Sequence, residues 1–131
     1  MNVILDVAGE REPHREASQK VLSAIERKKA HGFTSAVSYP TLYYLLQREI
    51  GASDAREFLT ILSALLTVVP VDKAILDRAM TMETDDYEDA IQIACAETCK
   101  ADFILTRDAQ GYKKSSIQAI TPSEYLATFE G

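Results

Sequence analysis

The sequence predicts an α/β fold with a parallel sheet covered by helices on both faces. Three observations carry this expectation. Short β-branched runs alternate with longer segments of helical apolar spacing, and such alternation implies right-handed crossovers between parallel strands. The run Phe-Ile-Leu-Thr at 103–106 shows no polar–apolar alternation, as a strand buried on both faces requires. The length of 131 residues suits a single domain spanning 1–131, large enough to bury a core without disulfides.

Taken in order, residues 2–7 read as a short first strand. Pro13 sits at a helix start; Val21, Leu22 and Ile25 give that helix an apolar face, and Gly32 ends it. Residues 33–37 form a strand. Ser38 with Pro40 opens a helix whose stripe of Leu42, Tyr43, Leu45 and Leu46 runs up to Gly51. Ser53 caps the next helix, with Phe58, Ile61, Leu62 and Leu65 at helical spacing. Residues 68–71 form a strand in which Pro70 marks an end or an edge. Asp72 caps a short helix through Met80, and Asp85 or Asp86 starts a longer one to about Lys100. Residues 103–106 and 118–120 are the last strands, and Thr121-Pro122 opens the terminal helix. In sheets of this kind function collects at the carboxyl ends of the strands.

Composition narrows the function. The net charge is −6 and the pI about 4.9, which argues against sequence-blind binding of bulk DNA. The stretch 59–71 is broken by Thr60, Ser63, Thr67 and Pro70, far short of the ~20 apolar residues of a membrane span. No signal peptide is visible and the two cysteines build no disulfide framework, so a cytoplasmic location is the default. Cys95 and Cys99 read as buried small side chains, because zinc sites recruit four ligands and His14 and His31 are remote. No glycine-rich phosphate loop and no serine elbow occurs.

The acidity is concentrated. Five of the seven residues 83–89, Glu-Thr-Asp-Asp-Tyr-Glu-Asp, are acidic. Acids at a helix start are favoured by capping and the helix dipole, but five together repel one another. Asp86 and Asp89, or Asp85 and Asp89, share one helix face. The following Ala90, Ile91, Ile93, Ala94 and Cys95 mark the side that packs on the sheet, which puts Asp89 at the border of core and solvent. Asp108 follows the strand 103–106, and Asp6 follows Val3-Ile4-Leu5. Carboxylates converging from strand ends and a helix start suit a hard divalent cation, which activates water and steadies the charge of a phosphodiester under attack. Each of these acids also fits a turn or cap.

Four stretches together resemble the PIN domain family, close to the toxin ribonucleases of bacterial and archaeal toxin–antitoxin pairs. They are NVILDVAGEREPH at 2–14, TSAVSYPTLYYLL at 34–46, DYEDAIQIACA at 86–96 and ADFILTRDAQGY at 101–112. The resemblance implies a three-layer α/β/α sandwich with a central parallel sheet. It also implies an acidic site for Mg²⁺ or Mn²⁺, and metal-dependent RNA cleavage. By position Asp89 matches the acid opening the long helix and Asp108 the acid two residues past the strand threonine, with Asp86 and Glu88 as supporting acids. The family opens with a strand ending in Asp-Thr-Asn. One alignment sets Asn2 at that Asn and lacks the strand; another makes residues 3–6 the strand and Asp6 its acid. The first is preferred, and reads as a truncated chain or a missed upstream start. Thr41 stands where many members place Glu, and Gly111 where a further acid is common, which weakens metal binding.

The expected RNA contacts are Asn2, Thr41 and Thr106, with Arg107 and Lys113 flanking Asp108. Tyr39, Tyr43 and Tyr44 are the aromatic side chains available to stack on bases, although the spacing of Tyr43 suits a core or dimer position. Lys28, Lys29 and Lys114 read as solvated. The resemblance further implies an antitoxin partner and a homodimer formed through the outer side of 42–46. Against the ribonuclease stand a non-catalytic module binding a partner protein or nucleic acid, and a flavodoxin-like signalling domain. In the latter the acids follow early strands, and here they open a late helix.

Overall fold

The computed structural model describes residues 4, 7, 15–84, 86–108 and 112–130. The elements whose bounds are described run in the order α1 (Arg15–Glu26), β1 (Phe33–Ser35), α2 (Ser38–Ile50), α3 (Ala52–Leu65), β2 (Thr67–Val69), α4 (Lys73–Met80), α5 (Tyr87–Thr98), β3 (Phe103–Leu105), β4 (Gln118–Ile120) and α6 (Pro122–Glu130). The chain is thus an α/β protein. Its described strands pair two by two instead of forming one sheet: β1 with β2 and β3 with β4, both parallel.

The strand expected over 2–7 is not formed at its described residues, because Ile4 and Val7 are helical. They lie three apart, the spacing of one helix face. Ile4 buries itself among Leu42, Leu46, Leu59 and Leu62, so helical spacing overrides the β-branched composition. Pro13 and His14 lie outside the described residues. The first described helix stops at Glu26, six residues before Gly32. Lys28 turns the chain at φ 60°, and the N–H of Lys29 closes on the Ala24 carbonyl at 2.9 Å, a local helix stop made without glycine. Gly32 serves close packing: a Cβ there would lie 2.5 Å from Leu66 Cδ2 and 2.7 Å from Ile25 Cδ1.

Other boundaries follow their caps. Gly51 adopts φ 88° between α2 and α3, a region glycine enters without strain. The helix beyond it starts at Ala52, with no side-chain cap from Ser53. Asp72 accepts the Ile75 N–H at 3.0 Å and caps α4 as expected. Pro70 lies just past β2, where no ladder bond is required of it. Thr121 and Glu124 form a reciprocal capping box on α6, at 3.1 and 3.0 Å.

The core has two centres. One is the α2–α3 pair, where Leu42 and Leu46 are fully buried beside Ala55, Leu59 and Leu62. The other lies between α4 and α5, where Ile75 and Ala79 meet Ala90, Ile91, Ala94 and Cys95. Six of the twelve residues of α5 are buried, so this helix is the spine to which the strands and the acids are fixed. Among the described residues no helix is long and apolar enough to cross a membrane.

Candidate functional site

The first turn of α5 holds three described acids. Asp86 is the N-cap: its Oδ1 accepts the backbone N–H of Asp89 at 3.0 Å. One of its oxygens therefore finishes the helix, and the residue is exposed. Glu88 and Asp89 follow within the turn, both half-buried. The small, buried side chains beginning at Ala90 draw the helix against β1 and β3, and that packing carries the two carboxylates partly out of water.

Their electrostatics show the cost. Burial, then repulsion from Asp86 and from Asp89, raises the Glu88 carboxyl above the usual carboxylate range. Asp89 is raised first by burial; the hydrogen bond from Tyr112 opposes this, and Asp86 and Asp108 add to it. Glu88 Oε1 is buried and meets no hydrogen-bond donor among the described residues. An acceptor in that position lacks the compensation that burial of a polar group requires.

The segment after β3 closes over this turn. Thr106 is buried, and its Oγ1 accepts the Asp108 N–H at 3.1 Å. Its hydroxyl thus shapes the backbone at Asp108, which is itself exposed. Tyr112 donates its phenol to Asp89 Oδ1 at 3.0 Å. Burial first, and then the Asp89 carboxylate, hold that phenol protonated well above its usual range, so it acts as a fixed donor. Lys114 pairs with Glu83 at 3.2 Å, on the surface. Two links therefore tie residues 112–114 to the acidic segment.

The structure brings Asp86, Glu88, Asp89 and Asp108 to one end of α5. Thr41 is half-buried in the first turns of α2, whose Ser38 accepts a hydrogen bond from Gln92 of α5 at 2.5 Å. Arg107 and Lys113 are exposed on either side of Asp108 in sequence. Asn2, Asp6, Asp85 and Gly111 lie outside the described residues. Among the described residues no three carboxylate, histidine or cysteine side chains converge as a ready metal cage.

Tyr112 is the site residue that sequence reasoning missed. Its signal was an aromatic residue four positions beyond the strand-end acid, visible only once the strand and α5 were known to meet. Tyr43 packs against the core with the Arg56 guanidinium 5.4 Å from its ring centre, whereas Tyr44 is 57% exposed. Cys95 is buried and Cys99 half-buried, both free thiols; burial raises both above the usual thiol range.

The PIN domain family model matches residues 1–110. Proteins of that family are generally nucleases, and they typically use divalent metal ions. No curated protein and no solved structure matches the chain.

Proposed function

The chain belongs to the PIN domain family, and from that premise we propose that it is a metal-dependent ribonuclease, the toxin of a toxin–antitoxin pair. The observation that carries the reading is the buried Oε1 of Glu88, which meets no donor among the described residues, beside a half-buried Asp89. Both carboxyls are raised first by burial and then by neighbouring acids, Asp86 in both cases, and a cation relieves both costs at once.

The donor set fits a hard ion. Mg²⁺ is commonly held by one or two carboxylates and keeps several waters, so it does not need the three-ligand cage the described residues lack. Asp89 and Asp108 are the principal ligands, with Asp86 and Glu88 in support. Asp6 is assigned to the same site from its place in the sequence alone. When bound, Mg²⁺ or Mn²⁺ supplies activation of water and stabilisation of charge on the phosphodiester. The protein does the positioning. Tyr112 fixes one oxygen of Asp89 and leaves the other for the ion. Thr106 sets the backbone of Asp108. Arg107 and Lys113 hold RNA phosphates, with Asn2 and Thr41 as further contacts. Helices on both faces of a single completed sheet, the three-layer arrangement, belong to the same reading, as do an antitoxin partner and a homodimer through the Tyr44 side of α2.

A second reading, a catalytically weakened module binding a partner protein or nucleic acid, draws on one observation. An oxygen of Asp86 is committed to the helix cap. Cleavage of RNA in Mn²⁺ separates the two. Wild type cuts and Asp89→Asn does not if the ribonuclease reading holds; equal activity in both removes it.

A further inference from the structure

Two helices end in the same uncommon way. After α1, Lys28 has φ 60°; its N–H donates to the Ile25 carbonyl at 3.0 Å, and the Lys29 N–H to the Ala24 carbonyl at 2.9 Å. After α5, Lys100 has φ 56°; its N–H donates to the Glu97 carbonyl at 3.2 Å, and the Ala101 N–H to the Ala96 carbonyl at 3.0 Å. Both are Schellman stops, whose left-handed position suits glycine and carries a steric penalty for any side chain. A lysine gains something there, because a cation meets the negative end of the helix dipole. In solvent that gain is smaller than the cost of left-handed backbone, so the fold alone favours glycine at both positions. Lys29, His31, Cys99 and Lys100 line one cleft, which makes the two stops neighbours. They stand at the carboxyl end of α5, whose twelve residues put about 18 Å between them and the acids of its first turn.

Beside the first stop lies an open depression of about 540 Å³, between the carboxyl ends of α1 and α3. That is within the ~300–1,000 Å³ range of small-molecule sites. Ile25, Ala64 and Leu65 supply its apolar part, and Lys28, Lys29 and Glu26 its charges. Two lysines against one glutamate leave it positive in a chain whose net charge is −6. The remaining functional group is the His31 ring, which is held in place twice over. Its Nε2 shares a hydrogen bond with the Thr67 hydroxyl at 2.9 Å, and it stacks on Phe33 with ring centres 4.4 Å apart and planes at 25°. The residue is nonetheless exposed, and its outer face can take a third ring. A fixed flat ring, an apolar floor and two cations suit an anion carried on a flat organic body.

We infer that this depression is a nucleotide site, which takes a nucleoside monophosphate with its phosphate on Lys28 and Lys29 and its base on His31. Lysine binds phosphate as a point charge, and a dianionic monoester gives both lysines a partner. Ile25, Ala64 and Leu65 cover the nucleoside. The left-handed turn at Lys28 is then kept for its charge and not for its backbone, in the way that strained positions collect at ligand sites. Glu26 opposes the anion from the same lining, so the ligand needs both lysines. The inference does not depend on the ribonuclease reading, because the site stands at the far end of α5 from the acids.

The test titrates the whole chain, free of divalent metal, with adenosine 5′-monophosphate, and separately with inorganic phosphate and with adenosine. Amide chemical shifts are followed by NMR. The monophosphate should give saturable shifts at Lys28, Lys29, His31 and Leu65, and none at Glu88 and Asp89. Adenosine, without the charge, and phosphate, without the stacking ring, should each bind at least about tenfold more weakly. Lys28→Gly is the decisive variant, because it relieves the left-handed backbone and removes a cation together. Its Tm should hold or rise while its affinity for the monophosphate falls at least about fivefold. Lys29→Gln should lose affinity to the same degree. The inference is overturned by no saturable binding, by shifts confined to the acid end of α5, or by phosphate or adenosine alone binding as tightly. It is overturned equally if Lys28→Gly keeps the affinity, or if its Tm falls, which would make Lys28 a structural stop.

Discussion

At its carboxyl end α5 carries Glu97, whose two oxygens take the Arg78 guanidinium at 3.0 Å each, while the Ser116 hydroxyl adds a bond of 2.6 Å. At its amino end the same helix carries Glu88, with an oxygen buried and no donor to meet it among the described residues. The hydrogen bonds and charge of Arg78 hold the Glu97 carboxyl below its usual range, whereas burial and like charge push Glu88 and Asp89 above theirs. One helix thus has a satisfied acid that fastens α4 and the approach to β4, and a half-buried pair in which Asp89 holds the Tyr112 phenol while Glu88 Oε1 meets no donor among the described residues. A carboxylate whose needs are met by the fold is structural. A carboxylate kept partly dry without compensation is retained at a cost in stability, and is where function is to be sought.

The sharpest way to break this contrast is to neutralise each end. Asp89→Asn is expected to lower RNA cleavage in Mn²⁺ by at least about a hundredfold, at or beyond the upper end of what losing a supporting group around a metal costs. Glu97→Gln is expected to change it less than about twofold. Equal losses would mean that both ends act only through the fold.

Binding, read without activity, gives the next largest effect. Mn²⁺ at a hundredfold excess over its dissociation constant stabilises a protein by about 2.7 kcal/mol, a rise in Tm on the order of 10 °C for a domain of this size. Wild type and Glu97→Gln should show the rise, and Asp89→Asn should not. A rise retained in Asp89→Asn would place the ion elsewhere. Tyr112→Phe removes only the hydroxyl that holds Asp89 at 3.0 Å, so its Mn²⁺ affinity should fall by about tenfold. The Asp89 carboxyl should titrate still higher, because the hydrogen bond that lowers it most is gone. An unchanged titration of Asp89 by NMR would show that the phenol merely packs there.

Much of this architecture was legible in the sequence. The cap at Asp72 and the helix starts at Asp85 or Asp86 and at Thr121-Pro122 were readable because capping is a local interaction between a side chain and N–H groups three residues away. The four observed strands were found because short β-branched runs between helical stripes leave few alternatives. Residues 2–7 misled because Ile4 and Val7 suit a strand by composition and a helix by spacing, and only the pocket of α2 and α3 leucines decides between them. The acid cluster was visible as a run, but its division of labour was not. That Thr106 is buried and that Tyr112 reaches Asp89, 23 residues away in the chain, are facts of packing with no periodic trace in the sequence. The split of the sheet into two pairs was equally hidden, since strand runs do not say which edges meet.

The smallest effect is also the most discriminating, because it asks for opposite signs from one helix. Glu97 has a folded pKa below its ordinary value, so it contributes stability that is present above the usual carboxylate range and is lost as pH falls through the folded value. Glu88 has a raised folded pKa. The protein is therefore free of its penalty below the ordinary value and acquires it as pH rises through the folded one. Thermal melts from pH 3 to pH 8 should give three curves that meet at acid pH and fan apart: Glu88→Gln above wild type and Glu97→Gln below it, each by about 1–3 °C at neutral pH after screening. Saturating Mn²⁺ should then carry wild type past Glu88→Gln, because the ion repays the carboxylate what burial took, while the Glu97→Gln gap stays fixed. If Glu88→Gln melts below wild type without metal, its buried oxygen is already compensated by the fold, and the difference between the two ends of α5 disappears.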